Sequence, residues 1–195
     1  MPAPTFDEIK GFIAPSEGNI SHMYVDTKGY VTVGIGNMVP DAKAATALAF
    51  VNRTTNNPAT SAEITAEFDG VAKQPKGKIA RHYRQFTSLD LSDVEVNQLF
   101  QKRIEGFQKQ LKTSYSKYDS YPSAVQLALL DMAFQLGAYG LKNKWPKLNG
   151  AIDSEDWAVA ATNCMRPDAN AIRNDGTRAL FERAAKEKAT AEKKP

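Results

Sequence analysis

The stretch Glu17-Gly-Asn-Ile-Ser-His-Met-Tyr-Val-Asp26-Thr-Lys-Gly-Tyr-Val-Thr32-Val-Gly-Ile-Gly36 decides how this 195-residue chain reads. Met23-Tyr24-Val25 and the run from Tyr30 to Ile35 are short, rich in β-branched and aromatic residues, and read as two strands. Asp26-Thr27-Lys28-Gly29 between them has turn chemistry, with Asp at the first position and Gly where φ can be positive. Side chains alternate along a strand, so Val31, Val33 and Ile35 share one face and Thr32, Gly34 and Gly36 the other. One face is apolar. The other is nearly bare, and its glycines are expected to leave backbone open to close approach by a ligand.

Upstream, Thr5-Phe-Asp-Glu8 reads as a capping box that opens a helix with Phe6, Ile9, Phe12 and Ile13 at helical spacing. Pro15 and Gly18 place the end of that helix at 15–18, which puts Glu17 in its last turn. Downstream, helices dominate. Asp41 to Val51 is alanine-rich and reads as a helix, followed by a polar loop over 52–58. Thr60 with Glu63 forms a second capping box ahead of Ile64, Phe68 and Val71. Pro75-Lys-Gly77 breaks the chain before a short helix carrying Ile79, Tyr83 and Phe86. Ser92 with Glu95 opens a long amphipathic helix whose inward stripe is Val96, Leu99, Phe100, Ile104, Phe107 and Leu111. Ser123 to Leu136 is the most apolar helix and the expected buried centre, with Pro122 at its start. Trp157 to Cys164 and Thr177 to Lys186 complete the set, and 186–195 reads as a fraying or disordered tail.

One helix, one hairpin and then many helices predict an α+β fold, mainly helical, with a small β-hairpin lobe and a larger helical lobe flanking a cleft. The expected organisation is a single domain over 1–195. Residues 1–40 form the helix and hairpin, 41–90 a helical insertion, 91–187 the helical lobe and 188–195 the tail. Composition supports a buried core without staples, since 42% of residues are hydrophobic and 24% charged. Cys164 is the one cysteine, so an internal disulfide is impossible, and a packed thiol is the ordinary reading. A net charge of +3 without a basic stripe does not describe a nucleic-acid binder. His22 and His82 lack companions at metal-ligand spacing, so no metal and no cofactor is expected. Gly34-Ile-Gly36 is not a dinucleotide loop, because Val39 stands where the third glycine belongs and no βαβ unit follows. No nucleophile elbow is present either.

Glu17, Asp26 and Thr32 each have an ordinary local reading: a helix-end residue, a turn former and a β-former. Their spacing allows all three to converge on one groove. Two carboxylates in unlike settings, with a hydroxyl able to hold a water, are what glycoside hydrolysis requires.

The run from Glu17 to Gly36 resembles the active-site hairpin of the phage-type lysozymes, glycoside hydrolase family 24, whose pattern is E-G followed by Y-x-D-x-x-G-x-x-T-x-G-x-G. The resemblance continues in order downstream. Ser92 to Leu111 resembles the family's long connecting helix and Ser123 to Gly137 its central buried helix. Gly176-Thr-Arg178-Ala-Leu-Phe-Glu182 is similar to a late segment whose arginine lies near the catalytic glutamate. About half the chain is covered. The resemblance implies a lysozyme-like fold and cleavage of the β-1,4 bond between N-acetylmuramic acid and N-acetylglucosamine with inversion. It implies Glu17 as acid, and Asp26 and Thr32 as keepers of the attacking water. It also implies Gln135 and Gly34 as substrate contacts and Arg178 as a partner of Glu17. Asn37 stands where the family commonly has histidine, and residues 37–92 are longer than in compact members.

The partner so implied is bacterial peptidoglycan, met by a monomer without nucleic acid or stable membrane insertion. The N-terminus lacks the pattern of a secretory signal and no apolar run reaches the ~20 residues of a membrane span. Access to the wall is therefore expected through a holin, as for an endolysin, or through a secretion machine, as for an antibacterial effector. An effector would bring an immunity or inhibitor protein as a further partner. Two other classes stay open at this point: a non-catalytic peptidoglycan-binding module, and a structural module of a phage or secretion particle.

Overall fold

The computed structural model describes residues 2–193. Along the chain the elements are α1 (Phe6–Glu17), β1 (Ile20–Val25), β2 (Val31–Gly34), β3 (Asn37–Met38), α2 (Ala42–Thr46), β4 (Phe50–Asn52), α3 (Ser61–Ala72) and α4 (Ala80–Tyr83). They continue with β5 (Leu89–Leu91), α5 (Asp93–Ser114), α6 (Ser123–Leu136), α7 (Ala138–Lys144), α8 (Pro146–Asp153), α9 (Trp157–Asn163) and α10 (Ala171–Ala191). The fold is α+β and mainly helical, with small antiparallel sheets. It divides into two compact units, 17–103 and the combination of 1–16 with 104–195.

In the unit 17–103, β1, β2 and β3 form a three-stranded antiparallel sheet in sequence order. Tyr24 pairs with Thr32 and Val25 with Val31, closing the turn that the sequence places at 26–29. Met23, Val25, Val31, Val33 and Ile35 are buried with Ile64, Phe68 and Val71 of α3. Burial of this kind is worth about 1.5–3 kcal/mol per large side chain. β2 is covered on both faces, because Val96 of α5 lies over Gly34. The open glycine face expected from alternation is therefore closed at Thr32, which is 3% exposed, and at Gly34.

The segment 41–90, expected to be helical, carries a second sheet. Its α2 stops at Thr46, and Phe50–Asn52 pairs antiparallel with Leu89–Leu91. Alanines favour a helix over 41–51 locally, but burial of Phe50, Leu89 and Leu91 in one sheet outweighs that propensity. Polar links fix the pairing: Arg53 grips Asp90 with Nε 2.7 Å from Oδ2, and Ser21 Oγ donates to Asp90 Oδ1 at 2.9 Å. Glu67 of α3 accepts from the Ser88 and Leu89 amides at 2.6 and 3.1 Å. The capping box of Thr60 and Glu63 is formed in full.

In the other unit, the Thr5–Glu8 capping box opens α1 as its sequence predicts. α6 spans the residues expected for the buried centre, and Ala124 to Phe134 are all buried along it. α1 meets α10 closely: a β-carbon on Gly176 would lie 3.2 Å from Phe12 Cζ. Asp131, fully buried on α6, is paired with Arg166 at 2.8 Å and Arg173 at 2.9 Å, and Thr177 Oγ1 donates to it at 2.9 Å. Burying those charges is tolerable only because they are mutually paired and hydrogen-bonded.

The sequence reading leaves 137–156 unassigned, whereas the chain forms α7 and α8 there. The buried Asn149 amide donates to the carbonyls of Leu141, Lys142 and Trp145 at 2.8–3.0 Å, ending α7. α10 begins at Ala171, capped by Asn170, and runs into the expected tail as far as Ala191. The rest of that tail reading, at Lys194 and Pro195, falls outside the described residues. Cys164 is buried, and burial pushes its thiol up to about 11. Among the described residues no single helix is long and apolar enough to cross a membrane.

Candidate active site

The site elements begin with the C-terminal turn of α1. The helix continues through Pro15, and Glu17 is its last residue. After Gly18 the chain turns into β1, so the Glu17 carboxylate belongs to the same unit as the hairpin. Gly36, two residues beyond β2, has φ +63°, a conformation that side chains disfavour. It faces Glu17: a β-carbon on Gly36 would lie 3.0 Å from Glu17 Oε2. Gly34 has a similar φ of +66°, and a β-carbon there would meet Val96 Cγ1 at 3.4 Å. The two glycines of the G-x-G thus face different neighbours, Val96 of helix α5 at Gly34 and Glu17 at Gly36.

Asp26 carries the hairpin turn on one oxygen. Oδ1 accepts from the amides of Lys28, Gly29 and Tyr30 at 2.9, 2.8 and 2.8 Å. Oδ2 takes none of these turn bonds, and the residue is half-buried. The turn therefore uses one oxygen of the carboxylate. Thr32 is tied to the same turn, since its Oγ1 donates to Tyr30 O at 3.2 Å while Asp26 N donates to that carbonyl at 2.9 Å.

Tyr24, opposite Thr32 in the β1–β2 register, stands between the two carboxylates electrostatically. Its phenol is pushed up to about 12, first by burial and then by the charges of Glu17 and Asp26, against the opposing pull of Arg103. Arg103 comes from α5, half-buried, and donates Nη1 to Gly36 O. Burial holds its pKa below the usual guanidinium range, while Glu17 and then Tyr24 act to raise it. A guanidinium stays charged at any working pH regardless.

Glu17, Asp26 and Arg103 thus all act electrostatically on Tyr24 within one unit, and Gly36 lies against Glu17 and accepts from Arg103. Two half-buried carboxylates there have unlike surroundings, one beside a cation and a bare α-carbon, the other wrapped by backbone amides. Such a pair suits acid and base roles in one reaction.

Sequence reasoning singled out neither Tyr24 nor Arg103 as a site residue. A signal for Arg103 was present: it lies seven residues after Val96 and three after Phe100, on the apolar stripe of α5, where a charge needs a partner. Gln135 and Arg178 belong to the other unit. Gln135 is half-buried near the end of α6, with Oε1 buried and making no hydrogen bond. Arg178 pairs along its own helix with Asp175 at 2.9 Å and Glu182 at 3.7 Å.

His22 is a core residue, its Nε2 3.0 Å from Ala80 O, and His82 packs edge-on against Tyr83 and Phe86. No group of three or more His, Cys, Asp or Glu is placed to hold a metal ion among the described residues. No protein-family model matches the chain, and no curated protein matches it.

Proposed function

We propose that the protein is a peptidoglycan hydrolase of the lysozyme type, with a fold of the glycoside hydrolase family 24 kind. It cleaves the β-1,4 bond between N-acetylmuramic acid and N-acetylglucosamine and so lyses bacterial walls. The observation that carries this reading is the pair of unlike carboxylates, Glu17 against Gly36 and Asp26 on its three amides, both acting on the Tyr24 phenol. Binding a glycan needs no such pair; breaking a glycosidic bond does.

In the proposed reaction Glu17 gives its proton to the leaving glycosidic oxygen as the anomeric C–O bond breaks. Asp26 Oδ2, outside the turn, takes a proton from the water that attacks the anomeric carbon from the opposite face. Water's oxygen forms the new bond and the configuration inverts. Thr32 contributes through the turn, bracing the Tyr30 carbonyl beside Asp26. Residues 17–36 keep the family's spacing at every one of these positions, which supports assigning the roles residue by residue.

Loss of turbidity of purified cell walls tests the reading. The wild-type protein clears the suspension, and Glu17→Gln, which removes the proton donor with little change of shape, leaves it turbid. Equal clearing by both would overturn the assignment. Delivery to the wall, as an endolysin through a holin or as an effector through a secretion machine, belongs to the same proposal.

A further inference from the structure

We infer that Arg103 is the positioning residue for Glu17, holding the acid's carboxylate against Gly36; this rests on the reading of Glu17 as the proton donor. Three observations converge on it. Arg103 is the cation whose charge interacts with Glu17 inside the unit that contains both. Its guanidinium is itself fixed by donating to Gly36 O. Gly36 in turn presents its bare α-carbon to Glu17 Oε2, at 3.0 Å from where a β-carbon would be. One glycine therefore positions both members of the pair, its carbonyl the cation and its α-carbon the anion.

The location of Arg103 fits this role better than a packing role. A half-buried charge on the apolar stripe of α5, between Phe100 and Ile104, is costly unless it is paired. A leucine or methionine would fill the same space more cheaply. The planar fork of arginine can donate to a carbonyl and face a carboxylate at once, which the single point of a lysine ammonium cannot do with the same geometry. Arg178, by contrast, has its ion pairs with Asp175 and Glu182 on its own helix. The charges of both Glu17 and Arg103 act on the Tyr24 phenol.

The test compares Arg103→Met and Arg103→Lys with wild type and Glu17→Gln on solubilised peptidoglycan strands, with folding checked by circular dichroism and thermal unfolding. Arg103→Met should lower kcat about 10- to 100-fold, the range expected for a misplaced catalytic group, with KM within about twofold. Arg103→Lys should recover part of kcat. A second readout needs no activity: in protein carrying carboxyl-labelled glutamate, the Glu17 carbon resonance, assigned by its absence in Glu17→Gln, should shift in both Arg103 variants. If Arg103→Met does not fold, the resonance and kcat of Arg103→Lys decide. Wild-type kcat in a folded Arg103 variant, a loss confined to KM, or an unmoved Glu17 resonance would each overturn the inference. A wild-type protein that cuts nothing, or a fully active Glu17→Gln, would instead overturn the underlying reading, and the resonance would still report on the pair.

Discussion

Glu17 Oε2 lies 3.0 Å from the position a β-carbon would take on Gly36, so the Glu17 carboxylate and the end of the hairpin determine each other's place. A methyl group there must displace the carboxylate or the backbone, and Gly36 also holds φ at +63°. Gly36→Ala should therefore cost about 1–3 kcal/mol of stability and nearly all wall-clearing activity. Gly34→Ala has a similar φ but meets Val96 at 3.4 Å, so it should cost comparable stability and less activity. Urea unfolding with turbidity assays on both variants checks the contrast.

Asp26 holds the turn through Oδ1 alone, and the proposed reaction uses Oδ2. Asparagine keeps the acceptor that holds three amides, whereas alanine loses it. Asp26→Asn should remain within about 1 kcal/mol of wild type and Asp26→Ala should fall by about 2–3 kcal/mol. Both should lose wall clearing by about 100-fold or more, since both remove the proposed base. An Asp26→Asn variant with full activity would confine the residue to the turn.

Stability should fall at both ends of the pH range. Tyr24 is raised to about 12 by burial and by Glu17 and Asp26, above the ~10 of an unfolded tyrosine. Its contribution is therefore complete below pH ~10 and lost as pH rises through 10 to 12. His22 is lowered, first by burial and then by Arg84 and Arg53, outweighing the Ala80 carbonyl and Asp90. Its contribution is present above pH ~6.5 and lost as pH falls below that value. Urea midpoints from pH 5 to 11 should show a plateau between these limits; a midpoint still rising above pH 10 would contradict the sign for Tyr24.

The buried network on α6 should dominate the stability of its unit. Asp131→Ala leaves Arg166 and Arg173 without their carboxylate in an interior where Arg166 is 1% exposed. The expected cost is about 3–5 kcal/mol, read by thermal or urea unfolding. Glu187→Ala, which breaks the exposed pair with Arg183 at 3.7 Å, should cost less than about 0.5 kcal/mol.

The features legible in the sequence are those with local causes. The hairpin at 26–29, the capping boxes at Thr5 and Thr60, the Ser92 cap on the Glu95 amide and the span of α6 all depend on residues a few positions apart. What escaped depends on distant partners. Phe50 becomes strand because Leu91 pairs with it, and α7 ends where it does because Asn149 reaches back to its carbonyls. The same holds at the candidate site. Glu17, Asp26 and Thr32 were visible as a motif, but the covering of Gly34 by Val96 and the approach of Arg103 to Gly36 require helix α5 to be in place. Arg103 alone left a trace, as a charge on an otherwise apolar stripe.

Mass spectrometry of the fragments released from purified walls decides whether Glu17 and Asp26 carry the proposed hydrolysis of the peptidoglycan glycosidic bond. Fragments ending in reducing N-acetylmuramic acid are expected from the wild-type protein and none from Glu17→Gln. Anhydro-muramic ends, reducing N-acetylglucosamine ends, or no fragments from the wild-type protein would contradict it.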